Sequence, residues 1–199
     1  MVPLLVALST FAAWASASGP VADLPRMTPA LFPRVMEKRE VVVEVSPRAS
    51  HAPGKEFRVF CAFDVHAPMA RVRRHLLDFP SYKTLSPTLQ RVTYLPRQRL
   101  ILINGSVMML KFEAALRVQD RAPNWIHFDG LLDENKALPV DLFLKAVQTP
   151  GHGDETLVYL SGILHSDSAL IPDATLAQAT DLLITSIAEK LRARIESGN

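Results

Sequence analysis

The chain holds a single cysteine, Cys61, among 199 residues, so neither a disulfide framework nor a cysteine-based zinc site can be built within it. It also lacks an excess of either charge: 22 Lys and Arg stand against 20 Asp and Glu, a formal net charge of +2. Nucleic-acid binding needs a concentrated basic face to neutralise phosphates, and so small an imbalance gives no ground for one. Glycine is sparse at 8 residues, and no P-loop, dinucleotide fingerprint, nucleophile elbow or His-Glu-x-x-His helix is written anywhere. The six histidines, at 51, 66, 75, 127, 152 and 165, contain no i,i+2 or i,i+4 pair, which argues against a metal site. No cofactor is expected. What remains is a globular composition, 48% hydrophobic and 21% charged, in a chain long enough for one domain to bury roughly 70% of its unfolded surface.

Charge is missing altogether from the first 22 residues, and 12 of the 16 positions from Val2 to Ala17 are apolar. The apolar centre is too short to span a bilayer and ends in the small-x-small run Ala15-Ser16-Ala17. Residues 1–17 read as a signal peptide cleaved near Ala17, which implies a secreted or periplasmic protein. Its n-region carries only the α-amino group, so a retained anchor or a start at Met27 stands as the alternative. Pro20, Pro25, Pro29 and Pro33 then prevent a long helix over residues 18–37, predicting a Pro-rich linker or a segment lying on the domain that follows, residues 38–199.

Within that domain, residues 40–45 and 56–65 read as strands, the second with Phe57, Val59, Cys61, Phe63 and Val65 on one face. A buried, inert thiol is the expectation for Cys61. At Pro68 the period lengthens to 3.6, and a short helix carries Met69, Val72 and Leu76 on one face, with Arg71, Arg73 and Arg74 elsewhere. Strands follow at 91–95, 99–103, 106–120, 125–132, 138–148 and 155–164. Asn104-Gly105, tolerant of positive φ, is the strongest hairpin signal and predicts the turn between the second and third of these. A long amphipathic helix over residues 172–196, with Leu176, Ala179, Leu183, Ile187, Leu191 and Ile195 in a stripe, closes the chain. This order predicts an α+β fold, a curved antiparallel sheet wrapped around the C-terminal helix with a concave space between them.

The run from Glu56-Phe57-Arg58-Val59 through Asp64-Val65-His66-Ala67-Pro68, the short helix with Val72 and Leu76-Leu77, then Asp78-Phe79-Pro80-Ser81-Tyr82 and Leu85-Ser86-Pro87, resembles the opening segment of the START-like superfamily. That group includes START lipid-transfer domains, polyketide cyclases and coenzyme Q-binding proteins. The resemblance implies the helix-grip fold with a central apolar cavity, and it implies opening at the loop of residues 132–139 and the N-terminal part of the last helix. Because functions on this fold diverge, it speaks to fold more than to activity.

The side chains expected to line such a cavity are Phe57, Val59, Cys61, Phe63, Met108, Leu110, Phe112, Leu116, Ile126, Phe128, Leu142, Leu144, Leu183 and Ile187. The ligand they suit is a hydrophobic small molecule such as a lipid, sterol, quinone or polyketide. The alternative is a cyclase- or dehydratase-type enzyme using a pocket carboxylate or His. Its candidates are Glu113, His127 and Asp129, and its discriminator is whether they point inward. A third reading is a domain whose cavity is filled by its own side chains. Arg71, Arg73 and Arg74 offer a transient contact with anionic lipid or simply the solvated face of a helix.

Overall fold

A computed structural model describes residues 27, 28, 30–49, 54–131, 137–148, 153–166 and 170–198. The expected signal peptide and most of the Pro-rich segment lie outside these. Eight strands form one antiparallel sheet: β1 (Val42–Arg48), β2 (Lys55–Val65), β3 (Leu89–Leu95), β4 (Leu100–Val107), β5 (Leu110–Ala122), β6 (Trp125–Leu131), β7 (Ala137–Gln148) and β8 (Asp154–Ser166). Their spatial order is β1-β2-β8-β7-β6-β5-β4-β3, a curved sheet that does not close into a barrel. Helix α1 (Leu31–Met36) precedes it, while α2 (Met69–Leu76) and a 3-10 helix (Phe79–Thr84) join β2 to β3. The 25-residue helix α3 (Asp173–Ser197) lies across the concave face and stops at Gly198, whose φ of 85° supplies the left-handed cap.

Alternation in β2 is read correctly by the sequence on one face only. Cys61, Phe63 and Val65 point to the concave side with Val72, Leu76, Ile126, Leu144, Val158, Leu191 and Ile195. The opposite face is buried too, because Leu31 and Val35 of α1 cover Phe60, Ala62, Leu157 and Tyr159 on the convex side. The packed structure therefore begins before residue 38, and the last residues of the Pro-rich stretch are a helix. Pro33 fits there because the N–H groups of a first helical turn have no intrahelical partner to lose.

The β4–β5 turn is not at Asn104-Gly105. Both residues lie inside β4, and the chain reverses at Met108 and Met109, with φ of 50° and 65°. Packing explains the shift. A Cβ on Gly105 would sit 2.1 Å from the Thr88 carbonyl oxygen and 2.7 Å from the Phe112 ring, so this glycine serves close approach rather than reversal. The longer hairpin also pairs Ile101 with Leu116 and Ile103 with Ala114 on the concave face. Left-handed backbone costs roughly 1–2 kcal/mol per non-glycine residue, so two consecutive methionines are an expensive way to turn.

Candidate functional site

Exposure along the concave face changes from one end of the sheet to the other. At the end holding the C-terminus of α3, the inward side chains are closed off: Ile126 is 0%, Leu144 1% and Val158 1% exposed. The ring of Phe79 completes the plug, with centroids 5.1 Å from Tyr94, 5.9 Å from Tyr82 and 6.4 Å from Phe128. The Tyr82 hydroxyl donates to the Leu76 carbonyl at 2.7 Å, and burial, then the charge of Asp78, holds its proton well above the ordinary range.

At the other end, near the N-terminus of α3, inward apolar side chains stay half-buried although a helix faces them. These include Leu110, Phe112 and Leu116 on β5, Leu160 and Leu164 on β8, and Leu183, Ile184 and Ile187 on α3. Glycine permits close packing on this face. Gly130 and Gly162 occupy inward positions opposite Leu116 and Val59, and a Cβ on Gly162 would meet Val140 Cγ2 at 2.7 Å. The apolar concave face is thus fully buried at one end and only partly buried at the other.

The expected lining residues divide by burial, and Phe57, paired with half-buried Leu164 at the open end, is buried there all the same. Phe57, Val59, Cys61, Phe63, Ile126, Phe128, Leu142 and Leu144 face inward but are buried. Leu110, Phe112, Leu116, Leu183 and Ile187 are half-buried at the open end. Met108 is the correction: it sits in the hairpin turn, 45% exposed, because the turn falls four residues later than Asn104-Gly105 would place it. Burial, and secondarily Asp181, pushes the Cys61 thiol up to about 12, which keeps it protonated and inert. Of the expected opening, residues 132–136 lie outside the described residues.

Glu113, His127 and Asp129 all lie on the convex face. Glu113 is exposed. His127 Nδ1 lies 2.7 Å from Asp141 Oδ1 and its Nε2 lies 3.1 Å from Asp129 Oδ1, while Trp125 Nε1 donates to Asp141 at 2.7 Å and Gln119 Nε2 to Asp129 at 2.6 Å. This is a satisfied cross-strand network on the opposite side of the sheet from the cleft. Arg73 pairs with Asp120 and Arg194 lies 3.9 Å from Asp78, so the basic helix is partly neutralised at the closed end. Among the described residues no group of three His, Cys, Asp or Glu is placed to hold a metal.

Sequence reading misses the clasp that fixes the closed end. Asp64, fully buried, accepts from Arg39 Nε at 2.9 Å and lies 3.4 Å from Arg192 Nη1 of α3. Arg192 also donates to the Arg39 carbonyl at 2.7 Å, and Glu196 accepts from Arg39 and from the His66 amide. The available signal was a lone Asp inside the apolar run Phe63-Asp64-Val65.

These features define a helix-grip fold, the architecture of START-like proteins, and comparison with solved structures agrees. The chain is similar to a START superfamily protein from Mycobacterium smegmatis, with TM-score 0.56, 14% identity, and 71% of this chain and 99% of that one covered. It is similar to the Zhui aromatase/cyclase from Streptomyces at TM-score 0.56 and 16% identity, covering 71% and 94%. Ara h 8.0201 matches at TM-score 0.51 and 11% identity, covering 71% and 99%. Identities this low speak for the fold alone. No family model and no curated protein matches the sequence.

Proposed function

We propose that this protein binds an apolar small molecule, of the lipid, sterol, quinone or polyketide kind, in the open half of its concave face and carries it. The observation that supports this is the uneven burial of the concave face, which leaves Leu116, Leu160, Leu183 and Ile187 only half-buried although the fold sets a helix over them. A ligand seated there gains about 25 cal/mol for each Å² of apolar surface removed from water, less the cost of ordering it. The cyclase-type reading loses its named residues, since Glu113, His127 and Asp129 face away from the cleft. Export fits the carrier reading: cleavage near Ala17 would release the domain into a periplasmic or extracellular space where an apolar molecule needs a vehicle.

The test is native mass spectrometry of the protein recovered from its secretory compartment, with organic extraction of what it holds and N-terminal sequencing of the chain. A stoichiometric apolar molecule on a chain starting near residue 18 is the expected result. A bare polypeptide that also fails to bind an added fluorescent apolar probe refutes the proposal.

A further inference from the structure

Among the described residues, Met109 and Leu170 are by far the most exposed large apolar side chains, and both lie toward the half-buried end of the concave face. Met109 is 96% and Met108 45% exposed at the tip of the β4–β5 hairpin, and Leu170, just before α3, is 98% exposed. Strand register puts them at one end of the molecule. Met108 and Met109 cap β4 and β5, and Leu170 lies between the end of β8 and the start of α3, where Lys55 holds Asp173 at 2.8 Å. Among the described residues, β5 pairs with β6 from Leu116 onward, so the hairpin tip lies six residues, about 20 Å of strand, beyond the start of that pairing.

Backbone conformation sharpens the point. Both methionines occupy left-handed φ, where Asn-Gly is the favoured pair, so the sequence keeps two large apolar side chains at a position that local conformation disfavours. Strain persisting at an exposed tip calls for a use that only those side chains supply.

We infer that the Met108–Met109 tip inserts into a lipid surface and holds the cleft mouth against it. The inference deepens the carrier reading by naming where cargo is exchanged. Two side chains are far too small for a stable protein interface, which needs about 800 Å² from each partner, but they suit weak and reversible insertion into acyl chains. Unbranched, flexible thioethers adapt to such a medium. The exposed charges closest in sequence to the tip, Lys111 and Glu113, are of opposite sign, so the contact rests on the apolar side chains. This surface is at the opposite end of the molecule from Arg71 and Arg74, which sit by the C-terminus of α3.

The test uses the mature chain and vesicles of equal parts zwitterionic and anionic phospholipid, read by co-sedimentation at low and high salt. The double variant Met108→Asn/Met109→Gly supplies the residues the turn favours, so its melting temperature should rise while its vesicle affinity falls about ten-fold or more, since two apolar side chains no longer enter the bilayer. A gain in stability with a loss of binding cannot come from misfolding. Undiminished binding by this variant overturns the inference. So does binding abolished by Arg71→Gln/Arg74→Gln, which would move the contact to the closed end, or a native dimer that the tip variant dissolves in sedimentation velocity. Native mass spectrometry of the same samples separates the two ideas. Cargo without vesicle binding sinks the tip, and vesicle binding without cargo sinks the carrier.

Discussion

Two identical truncations, Leu144→Ala and Leu116→Ala, should have different costs, because one residue sits in the closed half of the concave face and the other in the open half. Leu144 is 1% exposed and packed among Ile126, Val158 and Leu191, so shortening it removes three carbons' worth of transfer energy and leaves a void that rigid neighbours cannot fill. The expected loss is about 3.5 kcal/mol, within the range of Leu-to-Ala changes in closed cores. Leu116 is half-buried beside Gly130 and already borders open space, so only part of the transfer term is lost and no new enclosed void forms. Its loss should be about 1–1.5 kcal/mol. Urea unfolding monitored by fluorescence, with a common m-value, measures both. Affinity for an apolar probe should run the other way, several-fold weaker for Leu116→Ala and nearly unchanged for Leu144→Ala. A cost near 3 kcal/mol at both positions would show that the supposed cleft is packed core, and the argument for a binding site would fail with it.

Three further outcomes follow from the same geometry. Asp64→Ala removes the carboxylate between Arg39 and Arg192 and should destabilise the fold by roughly 3 kcal/mol, the low end for breaking a buried pair because Arg39 is 35% exposed; a loss under about 1 kcal/mol in urea would make the clasp decorative. His75 is held below its usual 6.5 by burial and by Arg194, Arg74 and Arg71, so the native state binds fewer protons than the unfolded chain. Its contribution is present above 6.5 and is lost as pH falls through the lower folded value, so urea midpoints should drop over that window in the native chain and drop less in His75→Gln. Cys61, with its thiol pushed up to about 12, should react with an aromatic disulfide reagent at mildly alkaline pH only at the rate of unfolding, and fast labelling of the native chain would contradict its burial.

Strand existence and the final helix were legible because their apolar periods are long and regular: residues 57 to 65 alternate cleanly, and the stripe predicted over 172–196 meets a helix at Asp173–Ser197. The hairpin was misread because Asn-Gly is a local signal, whereas Gly105 answers to Thr88 and Phe112, contacts that exist only after folding. Likewise α1 was hidden by Pro33 and the prolines before it, since what makes it a helix on the sheet is the aromatic convex face of Phe60, Tyr159 and Phe143 beneath it. Within the candidate site, inward parity could be read from alternation, but the division between buried Ile126 and half-buried Leu116 could not. That division depends on where α3 crosses the sheet, a tertiary matter that no single strand records.

The two ends of the concave face depend on each other. An apolar face left open to water gives up the burial that a closed core would gain, so the chain must recover stability elsewhere. It does so at the closed end, where the Phe79 ring cluster fills the space under α3, Asp64 ties Arg39 to Arg192, and α1 seals the far side of β2. These contacts pin the C-terminal half of α3, through Leu191 and Ile195, while Leu183 and Ile184 nearer its start remain half-buried. The early turns of α3 are held by buried Ala179 and the Lys55–Asp173 pair, fewer buried side chains than its last turns bring, so local opening should cost less there, the kind of opening that ligand access requires. Amide exchange should therefore be slow around Leu191 and distinctly faster before Leu183; uniform protection along α3 would mean that the cleft opens by some other route.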